Sequence, residues 1–173
     1  MLLFSLVACT ESEETLIRTP LPTQSEKTDR VKVLRVIDGD TIEVIFSDNT
    51  IDTVRMLGVD TPETRSKNKP YEYEDISDLY CLKEWGKKAN QYSENILEGK
   101  NINLIYDEKS GRRGYYDRVL AYIEINDYDF TESLVSKGYA RVYDESDFSR
   151  KHLYITKQKE AIGNKSGLWS ECQ

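Results

Sequence analysis

The sequence predicts a β-rich α+β fold in which five strands close a small barrel and about three helices pack around it. Three observations carry this. Apolar runs rich in β-branched residues stand at 31–37, 41–46, 51–59, 102–106 and 118–125. Helical spacing of apolar residues falls at 82–97, 130–137 and 153–162. Turn residues punctuate the chain between them: Asp38-Gly39, Ser47-Asp48-Asn49, Gly99, Gly111-Arg112-Arg113-Gly114, Gly138 and Gly163-Asn164.

Val31–Ile37, Thr41–Phe46 and Ile51–Val59 read as three consecutive strands, joined by the first two of these turns. A helix over Leu82–Leu97 carries Trp85, Ala89, Tyr92 and Ile96 at helical spacing, and Gly99 ends it. Ile102–Tyr106 and Arg118–Ile125 give the last two strands. A short helix over Phe130–Lys137 stops at Gly138, and a third runs from Leu153 to Ile162. Five strands with three helices fit a five-stranded OB-type barrel, an architecture that holds ligand in a groove across the barrel. There are no internal repeats. His152, the lone histidine, falls on the third helix and reads as a surface or packing residue.

A chain of 173 residues is long enough for one domain with a sizeable core. Hydrophobic residues at 38% and charged residues at 32% make it polar without the composition of a disordered chain. The net charge of −7 argues against a passive, tight nucleic-acid binder, because such proteins carry a basic footprint. An acidic enzyme can still hold a local positive site around a bound divalent cation. The twelve tyrosines suit strands, and tyrosine also stacks on bases.

Three charged motifs sit on the strand-like runs: Val36-Ile37-Asp38-Gly39-Asp40-Thr41, Arg55-Met56-Leu57-Gly58-Val59-Asp60-Thr61-Pro62-Glu63, and Tyr116-Asp117-Arg118-Val119-Leu120-Ala121-Tyr122. Asp40 and Asp60 are oxygen donors without nearby His or Cys, which suits calcium or magnesium rather than zinc. Glu63 follows Asp60 by three residues, just past a proline that fixes the local backbone, where a carboxylate can take a proton from water. Arg55 and Arg118 lie in apolar runs, so each needs a partner or a cleft, and the planar guanidinium matches phosphate. Together these are the parts of metal-assisted phosphodiester hydrolysis. Each piece alone also has a structural reading. Asp38-Gly39-Asp40 serves as a turn, Asp60-Thr61-Pro62 as a strand exit, and Glu63 as a helix N-terminal residue. Either arginine serves as a structural ion pair with Asp117 or Glu43.

Taken in order, the motifs resemble the staphylococcal nuclease (thermonuclease) family: an Asp-Gly-Asp-Thr turn, an Arg-x-x-x-x-Asp-Thr-Pro-Glu strand and a Tyr-x-Arg-x-Leu-Ala-Tyr strand. The resemblance covers roughly residues 31 to 170. It implies a monomeric, calcium-dependent nuclease acting on DNA and RNA through attack of water. It implies Ca2+ held by Asp40, Asp60 and the carbonyl of Thr61, with Glu63 as general base. Arg55 and Arg118 match the arginines that bind phosphate and stabilise the transition state, Tyr116 matches a tyrosine near the nucleotide phosphate, and Tyr143 lies near where a second nucleotide-contacting tyrosine is expected. The alternative is a catalytically silent OB-type module that binds nucleic acid or protein. Two departures stand out. Tyr115-Tyr116-Asp117-Arg118 replaces a Lys-Tyr-Gly-Arg segment, removing a lysine and placing Asp117 beside Arg118. The segment from Thr64 to Tyr80 is long and acidic, and reads as a solvated loop or, less simply, a second cation site.

The N-terminus divides from the rest. Residues 1–9 read as the remnant of a lipoprotein-type signal, because Leu6-Val7-Ala8-Cys9 resembles a lipobox in which Cys9 takes a lipid. Residues 10–29 read as a flexible tether and 30–171 as the nuclease-like domain. This arrangement predicts an extracytoplasmic, membrane-anchored or secreted protein, lipid-anchored through Cys9. Export would allow Cys81 and Cys172 to pair, stapling the C-terminal tail to the body; two free thiols are the alternative.

Overall fold

The computed structural model describes residues 27–172. Cys9 and most of the expected tether therefore lie outside the described residues.

The first strand, β1 (Thr28–Asp38), is long enough to serve two neighbours. Its first half pairs antiparallel with β5 (Asn101–Ile105), its second half with β2 (Thr41–Ile45). Val31 and Val33 point inward, and then the inward phase shifts to Val36. The register with β2 slips between Val33 and Arg35, as a bulge requires: one extra residue reverses which side faces the core. β2 pairs with β3 (Ile51–Met56), and β5 pairs with β6 (Val119–Ile125). Parallel pairing of β3 with β6, Arg55 opposite Leu120, closes the five-stranded barrel. Val33, Ile42, Val44, Val54, Leu104, Ala121 and Ile123 fill it, each essentially without solvent exposure.

The expected strand over Ile51–Val59 is interrupted. β3 stops at Met56, Gly58 turns the chain at φ +79°, and a two-residue strand, β4 (Val59–Asp60), leaves the barrel. It pairs with β8 (Arg141–Val142). β7 (Tyr128–Asp129) forms a hairpin with β6. Arg118 falls just before β6 rather than inside it, at the end of a 3-10 turn over Tyr115–Asp117.

The long helix α1 (Leu79–Leu97) begins three residues earlier than its apolar spacing indicates, because the Asp78 carboxylate accepts from the N–H groups of Tyr80 and Cys81 and caps it. Cys81 is therefore inside its first turn. α2 (Phe130–Ser136) and α3 (Lys151–Gly163) follow, and His152 is exposed on α3. A single turn, α4 (Leu168–Glu171), was not legible in the sequence. It is held beneath α1 by the Cys81–Cys172 disulfide, whose Cα atoms are 5.5 Å apart. Among the described residues no helix is long and apolar enough to cross a membrane.

The acidic segment after Thr64 is largely exposed, as a solvated loop would be, but it is pinned at two points. Tyr73 and Ile76 are buried in a second, smaller core with Leu82, Trp85, Leu168 and Trp169. Three of its four carboxylates are engaged: Glu72 lies 3.7 Å from Arg141, Glu74 accepts from Gln158 at 3.1 Å, and Asp78 caps α1. The two apolar residues within the acidic run are what fold it down.

Candidate active site

Where β3 and β6 begin to part, the turns after β1 and β4 meet one face of α1. That face is made of small residues. Gly86 lets α1 approach the chain at Pro62 so closely that a Cβ there would lie 2.3 Å from the Pro62 carbonyl oxygen. One turn on, Ala89 is fully buried, and Ser93 Oγ donates to the Gly39 carbonyl at 2.6 Å. The helix thus sets the height of both acidic turns, Asp38-Gly39-Asp40 and Asp60-Thr61-Pro62-Glu63, relative to each other.

Asp40 is 1% exposed and fully engaged. Its Oδ2 accepts from the N–H and hydroxyl of Thr61 at 2.8 and 3.0 Å, and its Oδ1 from Thr41 Oγ1 at 2.9 Å and from Arg55 Nη1. The other arm of the Arg55 guanidinium donates to Asp60 Oδ1 at 2.6 Å and to the Val59 carbonyl at 3.1 Å. Arg55 therefore bridges the two carboxylates. Burial alone would lower its pKa, but Asp40 and Asp60 outweigh that and raise it. Burial pushes the Asp60 carboxyl up against the opposing pull of Arg55 and Arg141.

Glu63 is partly buried at the rim of a cleft of about 780 Å³. Its main chain is clamped by Asn68, which accepts from Glu63 N–H at 2.7 Å and donates to its carbonyl at 3.1 Å. Burial, and then the charges of Asp38, Asp40 and Asp60, hold its carboxyl above the usual range, which favours proton uptake. Arg118, Tyr116 and Tyr143 line the same cleft, as do Arg55 and Gly58. The structure thus gathers Arg55, Glu63, Arg118, Tyr116 and Tyr143 around one cavity, with Asp40 and Asp60 tied to it through Arg55.

The two arginines differ. Arg118 is half-buried, yet no carboxylate lies within ion-pair distance of it among the described residues. Its Nε donates to the Tyr115 carbonyl at 3.2 Å, and its guanidinium sits 5.5 Å from the Tyr116 ring centre. Burial and the nearby Arg55 lower its pKa from the ordinary arginine value. Neither carboxylate that could have neutralised it does so. Glu43 pairs with Arg35 at 2.9 Å, and Asp117 lies 3.6 Å from Arg113, which is itself held by Asp52 at 2.6 Å. The charge that Asp117 adds is thus directed at Arg113. Tyr116 is 92% exposed and adopts a left-handed conformation at φ 61°.

The donor chemistry fits a hard cation. Asp40 Oδ1 and Asp60 Oδ1 converge on one positive group, Arg55. The Thr61 carbonyl accepts no hydrogen bond from the described residues, and no His or Cys lines the cleft. Among the described residues no group of three His, Cys, Asp or Glu side chains converges for a metal.

Sequence reading missed Arg141. It is 9% exposed, stands opposite Asp60 in the β4–β8 pair, and donates through Nε to Asp60 Oδ2 at 3.1 Å. Its position between Ala140 and Val142 gives no local sign of such a contact.

Comparison with known proteins bears on this arrangement. Residues 53–171 match the family described as Staphylococcal nuclease homologue. The thermonuclease of Staphylococcus hyicus is 34% identical over 140 residues, covering 80% of this chain and 75% of that protein. Endonuclease YncB of Bacillus subtilis is 32% identical over 155 residues, covering 88% and 67%. An uncharacterised protein of Methanocaldococcus jannaschii is 40% identical over 148 residues, covering 80% and 70%. With a closed five-stranded barrel, the acidic turns and two arginines at one cleft, and these matches, the chain belongs to the staphylococcal nuclease family.

Proposed function

We propose that this protein is a calcium-dependent nuclease that hydrolyses phosphodiester bonds of DNA and RNA. The observation that carries the reading is the unpaired guanidinium of Arg118 in the same cleft as Glu63, beside the Asp40–Arg55–Asp60 cluster. A half-buried arginine without a carboxylate is costly unless an anion arrives to meet it, and phosphate has the geometry its fork recognises. Names among the relatives, thermonuclease and endonuclease, support the same class of reaction.

Asp40, Asp60 and the Thr61 carbonyl would hold the cation. A bound calcium ion supplies charge neutralisation at the phosphoryl oxygens. Arg118 binds a non-bridging phosphate oxygen and stabilises the added charge of the five-coordinate state. Arg55, which lines the same cleft, would supply a second guanidinium to the phosphate. Glu63 takes a proton from water as the water oxygen bonds to phosphorus. The bond from phosphorus to O5′ breaks, leaving a 3′-phosphate, and the departing oxygen is protonated from solvent. Tyr116 and Tyr143, which both line the cleft, would contact the nucleotide.

A silent binding module would need neither a raised Glu63 nor an unpaired Arg118, and both are present. The test is degradation of denatured DNA by the purified protein. Activity with calcium and its loss on chelation support the reading; full activity in chelator overturns the metal assignment.

We also propose that the protein works as a monomer outside the cytoplasmic membrane, anchored by lipid on Cys9. The Cys81–Cys172 bond supports an oxidising compartment. Expression from the native upstream region should place the protein in the detergent phase, and Cys9→Ser should move it to the aqueous phase. Wild-type protein confined to the cytosol would refute the anchor.

A further inference from the structure

Arg141 stands outside the cleft wall yet contacts several parts of the site. Its Nε holds Asp60 Oδ2 at 3.1 Å, and its Nη2 holds Glu145 Oε1 at 3.0 Å. The guanidinium carbon lies 5.8 Å from the Tyr73 ring centre and 5.6 Å from the Tyr143 ring centre. Tyr73 in turn donates its hydroxyl to the Asp60 carbonyl at 3.2 Å. One buried cation therefore grips the side chain of Asp60, stands against the tyrosine that grips its main chain, and stands against the tyrosine that lines the cleft.

The geometry points to Arg141 as the positioning residue of the cation site. It occupies Asp60 Oδ2, so the one oxygen Asp60 has for a divalent cation is Oδ1, which meets the same Arg55 guanidinium as Asp40 Oδ1. Through its contact with Tyr143 it also couples that oxygen to the substrate wall. This rests on the proposed cation site at Asp40 and Asp60. Arg141 touches neither substrate nor cation; it acts through Asp60. Ion-pair partners that orient a metal-binding carboxylate commonly alter metal affinity by about 10- to 100-fold when removed.

The sign of the effect separates positioning from charge. A positive group beside an anionic ligand repels a second cation, so if Arg141 acted by charge alone its removal would tighten calcium binding. If it acts by fixing Asp60, removal weakens binding despite the more favourable charge. The experiment is calorimetric titration of calcium into the nucleotide-free wild type, Arg141→Met, Arg141→Lys and Asp60→Asn, with thermal melts of each. We expect Arg141→Met to raise the calcium Kd about tenfold or more. Arg141→Lys, which keeps the charge and most of the packing but lacks the fork, is expected to weaken binding too, at a temperature where its melt shows it folded. Unchanged or tighter calcium binding in folded Arg141→Lys and Arg141→Met, with Asp60→Asn impaired, overturns the positioning role and leaves the cation site standing. Wild-type affinity in Asp60→Asn overturns the cation site itself, and the positioning role with it.

Discussion

Reducing the Cys81–Cys172 disulfide removes the single covalent tie between α1 and the C-terminal turn. The two cysteines are 91 residues apart in sequence. In the chain-entropy description, closing a loop of that length lowers the entropy of the unfolded chain by about 15 cal/mol/K, worth about 4.6 kcal/mol at 25 °C. The folded side changes less. Leu168 and Trp169 remain packed against Tyr73 and Leu82, and the Cys172 N–H still meets the Leu168 carbonyl at 3.0 Å. At roughly 2–4 °C per kcal/mol for a domain of this size, the reduced protein should melt about 10–18 °C below the oxidised one. Urea titration of oxidised and reduced protein, each held at constant redox poise, measures the difference directly. A loss below about 1 kcal/mol would show that the unfolded chain is not what the cross-link restrains, and would refute the entropic account.

Arg118→Ala should leave the melt within a few degrees of wild type, since no ion pair is lost, and lower turnover by about 100-fold or more; near-wild-type turnover would remove it from the catalytic set. Gly86→Ala places a Cβ 2.3 Å from the Pro62 carbonyl oxygen, so α1 or the Pro62–Glu63 backbone must shift. Turnover should fall at least about tenfold under conditions where the variant is folded, and unchanged turnover would mean that this approach does not set the position of Glu63. Burial pushes Asp107 up, but the Tyr122 hydroxyl and the N–H groups of Ser149, Lys109 and Ser110 outweigh it and hold its carboxyl below the usual range. Its contribution to stability is therefore present above the unfolded carboxyl value of about 3.9 and lost as pH falls through the lower folded value. Asp107→Ala should cost about 1–3 kcal/mol at pH 7 by urea denaturation, and that gap should narrow in acid; a gap that is constant down to pH 2 would contradict the assignment.

The barrel was legible because its strands alternate or run apolar, and alternation is imposed locally by the pleat. The motif residues were legible for a different reason: their order and spacing match a family pattern. What stayed hidden depends on distant partners. Nothing near Met56 shows that β3 must stop there; Gly58 hints at a turn, but the short β4 exists because β8 comes to meet it. Tyr73 and Ile76 look incidental in an acidic run until Trp169 and Leu168 arrive from the far end of the chain. Gly86, Ala89 and Ser93 stand at helical spacing, which marks a close-packed face, but only the fold shows that Pro62 and Gly39 are what it receives. Arg141 is the plainest case, since its meaning lies 81 residues away at Asp60. Conversely, the pairing of Arg55 with both Asp40 and Asp60 shows that one arginine assigned to phosphate is first a partner of the carboxylates.

The most direct test of the site is the cleavage rate of a single-stranded oligonucleotide as a function of calcium concentration, measured for wild type and Glu63→Gln side by side. Wild type should show a saturable rise that chelation abolishes. Glu63→Gln should reach a plateau about 100-fold lower at the same calcium midpoint, because the base is lost while Asp40, Asp60 and Thr61 are untouched. Equal plateaus, or a wild-type rate indifferent to calcium, would contradict hydrolysis at this cleft by a cation-assisted, Glu63-activated water.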